Sequence, residues 1–405
     1  MPKLEYDSTV TWALIEGNRT WTLPEGITID TADDYGVIDV TGNNRIRIFG
    51  NVLGNAGTHG VDYLAGSSVL IGKAGWISGF ATGVQTGNDG GRVVNHGRIE
   101  AHIGIFGRSG TVENHGEIIA DGQILGSGIY YTGQLELRNE GTISGDYAVL
   151  AKGCMLRNDR NGDITANTVA ISIGESAQES AIENFGIIRA KFEAIVADGQ
   201  IDIVNRGTIV GDIVLGDHDD RIDTRGGVVK GVIRGGEGDD VYLVSSDTIK
   251  IEDSGASFFD VVKSTVSFGL SGGLDELVLL GRKNIDGSGN IHDDILRGNS
   301  GNNKLYGGDG SDVLEGGRGS DYLSGGRGAD EFRFRKGDGR DVIIGFEDGL
   351  DVITSSHVRT ARDFDRLDIR QKGDDVVIDF GHGDRLIIED LDRRDLGFDS
   401  FMALP

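Results

Sequence analysis

A chain of 405 residues holding 67 glycines and only three prolines carries far more glycine than the usual share of about 7%, without the strict period of collagen. Repeated tight turns explain that excess, so a solenoid that grows by adding coils fits better than several ordinary domains. Sixty-five acidic against 39 basic residues leave a net charge of −26; this excludes nucleic acid or an anionic membrane as the main partner and favours cations. The single cysteine, Cys154, excludes an intrachain disulfide, which leaves packing and metal to stabilise an extracellular fold.

The segment Met1 to Glu16 lacks the basic and apolar regions of a cleaved signal, and no stretch approaches the ~18 apolar residues of a membrane helix. Export is therefore expected to proceed without an N-terminal signal. Residues 1–45, which include Trp12 and Trp21, fall outside the repeat that follows and are expected to cap it.

Residues 46–215 carry a loose repeat. Gly50, Gly75, Gly97, Gly116, Gly141, Gly162, Gly186 and Gly207 each precede by two positions an aliphatic residue, from Val52 and Ile77 through Ile99, Ile118, Ile143, Ile164 and Ile188 to Ile209. A second column runs Val84, Ile105, Ile129, Val149, Ile171, Ile195, each after a glycine or alanine, and a third is expected to comprise Ile71, Val93, Val112, Leu137, Leu156, Ile182 and Ile203. Three short strands per coil of roughly 22 residues, with no helical period, indicate a right-handed parallel β-helix. Asn95, Asn114, Asn139, Asn158, Asn184 and Asn205 stand at the turn before most of the glycines and are read as a stacked structural column. His96 and His115 share a turn position in adjacent coils; no third ligand aligns with them, so they read as turn residues.

A tight repeat begins at Gly289: GNIHDDILR, GNSGNNKLY, GGDGSDVLE, GGRGSDYLS and GGRGADEFR. Position six holds Asp294, Asn303, Asp312, Asp321 and Asp330, and position eight holds Leu296, Leu305, Leu314, Leu323 and Phe332. This is the nonapeptide G-G-x-G-x-D-x-U-x known from calcium-binding repeats. Glycines at positions two and four, here Gly308, Gly310, Gly317, Gly319, Gly326 and Gly328, let the backbone turn through positive φ and bring carbonyl oxygens together. Ca²⁺ takes about six to eight oxygens from such carbonyls and carboxylates. Two nonapeptides make one coil, so Asp294, Asp312 and Asp330 should stack on one edge and Asn303 and Asp321 on the other. Without metal these carboxylates would face each other at roughly 5 Å, and binding and folding should form one equilibrium.

These motifs are those of the repeats-in-toxin family, which the stretch from Gly216 to the C-terminus resembles over about 190 residues. GGEGDDVYLV at Gly235 looks like the degenerate segment (216–288) that precedes the nonapeptides (289–334) in such proteins, and it adds Asp220 and Asp240 as candidate ligands. Residues 335–405, with GDGRDVIIGFEDGLDVI, are similar to the C-terminal region of serralysin-type proteases, and the resemblance adds Asp338, Asp341 and Asp351. It implies several Ca²⁺ ions, secretion by a type I route with an uncleaved C-terminal signal in LGFDSFMALP, and folding outside the cell. The fold class expected is all-β, a right-handed parallel β-helix continuing into a calcium-bound parallel β-roll.

The resemblance carries no activity, since H-E-x-x-H, G-x-S-x-G and a P-loop are all absent. Two readings of the N-terminal half stay open. The first is a noncatalytic adhesin, matrix or surface-structure protein, suggested by the outward strip Gln85, Phe106, Tyr130, Leu150, Ser172 and Val196. The alternative is a polysaccharide lyase or C5-epimerase, which would need acidic, basic or phenolic groups on one face, with Tyr147, Lys152, Arg189 and Lys191 as candidates.

Overall fold

The structure, a computed structural model, describes residues 11–31, 35–54, 59–87, 90–120, 125–253 and 259–403. The first residues of the chain and the last two of LGFDSFMALP, both invoked above for export, lie outside them. The chain divides into two compact units, Met1–Arg234 and Gly235–Pro405. Each is a parallel β-solenoid.

In the first unit the glycine-plus-two column stacks in register from Ile29 through Val52, Ile77, Ile99, Ile118, Ile143, Ile164 and Ile188 to Ile209. All nine are fully buried, and removing each from water is worth about 1.5–3 kcal/mol. The second column stacks as expected, Val84 on Ile105, Ile129, Val149, Ile171, Ile195 and Ile213. In the third, Val93 pairs with Val69, whereas Ile71 stands opposite Asn95. Ile71 therefore belongs to the column that becomes asparagine in later coils. Above it Ile48 and Leu23 occupy the same place, so an apolar contact does in the early coils what an amide does later.

The solenoid also starts earlier than residue 46. Trp12–Leu14, Thr20–Leu23 and Thr28–Thr31 pair in parallel with Tyr35–Asp39, Arg45–Ile48 and Asn51–Gly54. The segment expected to be a separate cap already forms a coil, because Leu14, Trp21, Leu23 and Ile29 alternate inward without needing the asparagine-glycine turn.

That turn is held by a chain of side-chain amides. Nδ2 of Asn95 donates to Oδ1 of Asn114 at 2.9 Å, and the pattern repeats to Asn139, Asn158, Asn184 and Asn205 at 2.8–2.9 Å. Each of the six is fully buried. His96 and His115 ride beside this column as stacked rings 4.6 Å apart, and His115 Nδ1 lies 3.0 Å from Glu140.

The second unit has shorter strands on two faces. One face stacks Val241–Val244, Val261–Ser264, Glu276–Leu279, Ile295–Arg297, Val313–Glu315, Glu331–Phe334, Val352–Ser355 and Phe401–Ala403 in parallel. Its inward column is Tyr242, Val262, Leu277, Leu296, Leu314, Phe332, Ile353 and Phe401. The other face stacks Gly287–Ser288, Lys304–Asp309, Tyr322–Arg327, Arg340–Ile343 and Asp384–Ile388. There the chain reverses: Asp375–Gly381 and Asp368–Lys372 add antiparallel. Among the described residues the α-helical content is one turn, Ala361–Phe364, closed by a capping box between Thr360 and Asp363.

Replacing Asn139 by alanine removes both of its inter-amide bonds and leaves buried partners on Asn114 and Asn158. Asn139→Ala should lower unfolding stability by about 1–3 kcal/mol, measured by urea titration. A change within about 0.5 kcal/mol, typical of a surface site, would show that the amide column does not hold the coils.

Candidate metal centre

The turns at position six of the second unit share one geometry. Each aspartate turns its Oδ1 toward the preceding coil and accepts the backbone N–H of the equivalent residue there. Asp312 accepts from Asp294 N at 2.8 Å, Asp330 from Asp312 N at 2.9 Å, and Asp351 from Asp330 N at 3.0 Å. On the opposite edge Asp321 accepts from Asn303 N at 2.7 Å and Asp341 from Asp321 N at 2.9 Å. The two edges expected from the spacing are thus present, and each continues past the nonapeptides.

What the second carboxylate oxygen does separates the turns. In three of the four complete G-G-x-G-x-D turns, Oδ2 of Asp312, Asp321 and Asp330 is buried and has no hydrogen-bond partner; in the fourth, GGEGDD at 235–240, Asp240 Oδ2 accepts the Tyr242 hydroxyl at 2.9 Å. An orphaned buried carboxylate oxygen is costly, and a hard cation is the partner that suits it. At the array's margins that oxygen is occupied: Asp294 Oδ2 accepts from Asn290 N at 2.6 Å, and Asp351 Oδ2 from Glu347 N at 2.8 Å. Asn303 is similarly engaged, its Oδ1 with Asn299 N at 2.9 Å and its Nδ2 with Ile285 O at 2.6 Å.

The glycines explain how oxygens can crowd here. Gly308, Gly310, Gly317, Gly319, Gly326 and Gly328 all have positive φ, from 83° to 148°. A Cβ on Gly317 would lie 2.5 Å from the carbonyl oxygen of Asn299, the equivalent position one coil earlier. At Gly317 a side chain would therefore block the stacking of its coil on the one before it. The residues present fit Ca²⁺: the carboxylates of Asp312, Asp321 and Asp330, with turn carbonyls, would hold it, and the ion would supply the charge that lets the turns close.

Without an ion the carboxylates are forced toward protons. Burial pushes Asp312 up to about 7, against the backbone bond from Asp294 N, and the charges of Asp294 and Asp330 add to the rise. Burial likewise raises Asp321 to about 7, Asp294 to about 6, Asp338 to about 6 and Asp341 to about 8; Asp330 and Asp351 rise for the same reason.

Residues 288–339 match the family model of the RTX calcium-binding nonapeptide repeat, in overlapping stretches 288–323, 297–332 and 306–339. This stretch is an RTX calcium-binding array. Among solved structures the chain is similar to the extracellular lipase LipA from Serratia marcescens, with 16% identity and a TM-score of 0.27 over 58% of this chain. That alignment spans 45% of the lipase chain, less than half of its length. No curated protein sequence matches the chain.

Outside the RTX array the same backbone bond recurs at aspartates whose turns depart from the G-G-x-G-x-D spacing. Asp220 Oδ1 accepts from Ile201 N at 2.7 Å, Asp260 Oδ1 from Asp240 N at 2.8 Å, and Asp275 Oδ2 from Asp260 N at 2.7 Å. Asp260 and Asp275 escaped the sequence reading because glycine was used as the marker. The durable signal is an aspartate two residues before an inward apolar side chain, as in Asp260–Val262, Asp275–Leu277 and Asp384–Leu386. A serine, a histidine and an aspartate also meet near the antiparallel strands, with Ser355 Oγ 3.3 Å from His357 Nδ1 and His357 Nε2 3.6 Å from Asp384. Ser355 is fully buried and its hydroxyl accepts the His357 backbone N–H at 3.1 Å, so this group braces a turn and presents no nucleophile.

Two outcomes follow for the RTX turns. Between about pH 4 and 8 the folded, metal-free array binds more protons than the unfolded chain, because its carboxyls sit above their ordinary value of 3.8. Stability in EDTA is therefore greatest at the acid end and falls as pH rises, and circular dichroism in EDTA should report more ordered strand at pH 4 than at pH 8. Saturating calcium, which replaces the protons, should abolish that trend. Secondly, Asp312→Ala should lower apparent calcium affinity at least about tenfold, or 1.4 kcal/mol, whereas Asn303→Ala should change it far less. Equal calcium titrations of the two variants would refute this assignment.

Proposed function

We propose that the protein is secreted, folds its C-terminal unit on meeting extracellular calcium, and serves outside the cell as a noncatalytic binding or surface-structure protein. The observation that carries the calcium dependence is the set of orphaned Oδ2 atoms on Asp312, Asp321 and Asp330. A chain made in a compartment poor in Ca²⁺ would leave those carboxylates mutually repelling and the second unit unfolded, and millimolar Ca²⁺ outside would close it.

The first unit supports the binding half of the reading. Phe106, Tyr130, Leu150, Ser172, Val196 and Val214 stack in one outward column, and Phe106 and Tyr130 meet edge to face at 5.4 Å. Beside them Tyr130, Leu150, Lys152, Ser172, Glu175 and Ser176 line an open groove of roughly 690 Å³. An aromatic floor with a polar rim suits the apolar face and hydroxyl edge of a sugar polymer.

The same groove is what favours a polysaccharide lyase or epimerase as the second reading, since Lys152, Tyr130 and Glu175 are groups such chemistry uses. Tyr147, Arg189 and Lys191 do not line it: Arg189 is paired with Asp163 at 3.0 Å, and Lys191 lies over the Phe192 ring.

Hydrogen exchange in calcium and in EDTA tests the first part. Protection in residues 235–403 should collapse in EDTA while the aliphatic columns of the first unit stay protected; uniform protection in EDTA would refute calcium-driven folding. For the groove, Tyr130→Ala should weaken retention on immobilised polysaccharide without altering calcium binding. Release of unsaturated uronates from alginate or pectin, lost in Lys152→Ala, would replace this reading by the lyase.

A further inference from the structure

The nonapeptides build two faces, because successive repeats alternate between the two sheets of the second unit. On each face the residues at positions seven and nine flank the inward one and point outward, where they serve neither the core nor the turn. The first face carries Ile295, Arg297, Val313, Glu315, Glu331 and Arg333 there, all half-buried. Its charges are laced together: Arg297 pairs with Glu276 and Glu315, Arg335 with Glu315, and Arg333 with Glu331. The second face carries Lys304, Tyr306, Tyr322 and Ser324. Tyr306 and Tyr322 are 48% and 45% exposed, and the exposed Lys304 makes no ion pair among the described residues.

Beside Tyr306 this second face is hollowed. Gly269, Ser288 and Tyr306 follow one another in a single outward column on successive coils. A column that begins at glycine and ends at tyrosine leaves a step, occupied by an open groove of roughly 410 Å³ whose lining includes Asp247, Phe268, Gly269, Asp286, Ser288 and Tyr306. That volume suits a small ligand. A Cβ on Gly269 would lie 2.6 Å from the Ser288 hydroxyl, so glycine keeps that hydroxyl open to the groove. Asp286 is oriented: its Oδ1 accepts the backbone N–H of Lys304 at 3.0 Å, and its exposed side chain keeps Oδ2 for an occupant.

The lining selects the chemistry of that occupant. Ionised Asp247 and Asp286 only accept hydrogen bonds, so the occupant must donate them. Aromatic rings beside such acceptors fit a molecule with an apolar face and a rim of hydroxyls. Two carboxylates oppose an anion, and Lys304, one coil on from Asp286, opposes a cation. The open stretch from Phe268 to Tyr322 is four strands wide; with six-residue strands about 20 Å long and about 4.8 Å between strands it covers about 300 Å², too little for a stable protein partner at about 800 Å² per side.

We propose that the Tyr306 face of the second unit is a binding site for an uncharged saccharide, with Tyr306 and Phe268 against the sugar ring and Asp247 and Asp286 accepting its hydroxyls. Tyr306 lies inside the RTX array, and Asp286 is held by the backbone of Lys304 within it. The site therefore forms only when the array is closed, a clause that rests on the calcium-driven folding proposed above. Sugar binding then requires Ca²⁺ although no ion touches the sugar.

The test is isothermal titration of the full-length chain with cello-, malto- and manno-oligosaccharides, and with an oligouronate as the anionic control. At least one uncharged probe should bind in saturating Ca²⁺. Tyr306→Ala should weaken it at least about tenfold and leave the calcium titration unchanged, since this exposed residue lies outside the turns. Asp286→Asn, which keeps an acceptor for the Lys304 N–H, should weaken it too, whereas Tyr130→Ala in the first unit should not. No binding of any uncharged probe, or binding that Tyr306→Ala and Asp286→Asn leave unchanged, would overturn the site; loss in Tyr130→Ala alone would assign the sugar to the first-unit groove. Tighter Tyr306-dependent binding of the oligouronate would overturn the uncharged class. Tyr306-dependent binding that survives EDTA would overturn the calcium requirement and leave the site itself standing.

Discussion

From Asn95 onward, the coils of both units depend on how a buried polar side chain at the turn is satisfied from one coil to the next. A parallel solenoid repeats the same residue at the same place, so a turn residue must be compatible with a copy of itself about 5 Å away. Asparagine meets that condition alone, because its amide both donates and accepts, and the five bonds from Asn95 to Asn205 form one polarised chain. Aspartate cannot: ionised, it only accepts. The second unit resolves this by giving Oδ1 to the neighbouring backbone N–H and leaving Oδ2 for a cation.

The exchange of asparagine for aspartate therefore changes the thermodynamic character of the coil. Columns such as Ile99, Ile118 and Ile143 in the first unit bury an aliphatic side chain at each of three strands, which offsets much of the ordering cost of about 1–2 kcal/mol per residue. The coils of the RTX array bury Leu296, Leu305, Leu314, Leu323 and Phe332 at one per nonapeptide. Their glycines raise the ordering cost further, and the carboxylates add repulsion. On the reading proposed above, the same topology is self-sufficient in one unit and conditional on an ion in the other.

Much of this was legible because residue type and spacing coincide. The inward column two residues after glycine and, Asn158 apart, the asparagines two before it kept a fixed offset, and the aspartates at position six fell on two edges because the period is constant. Legibility failed where the offset varied. Ile71 was placed beside Val93, although Val69 holds that place, because the turn after it has no asparagine to fix the register. The coil formed by residues 12–31 lacks the marker altogether. Asp253 was invisible for another reason: it reaches Asp240 and Asp260 through the return of the chain, and no local pattern records which residues a crossover brings together.

The antiparallel strands near the C-terminus have a consequence for solubility. A stack of parallel coils presents, at its last strand, a template on which another chain could continue the sheet, and such open edges seed fibres. In the second unit the sheet reverses direction after Asp384–Ile388 and finishes on Asp368–Lys372. That final strand reads DIRQK and is exposed at four of its five positions, with Arg370 clasping Asp368 along the same strand. An incoming strand of another copy would meet exposed charge of both signs. Growth by coil addition, the rule that builds the molecule, is thereby stopped along this face by its last sheet strand.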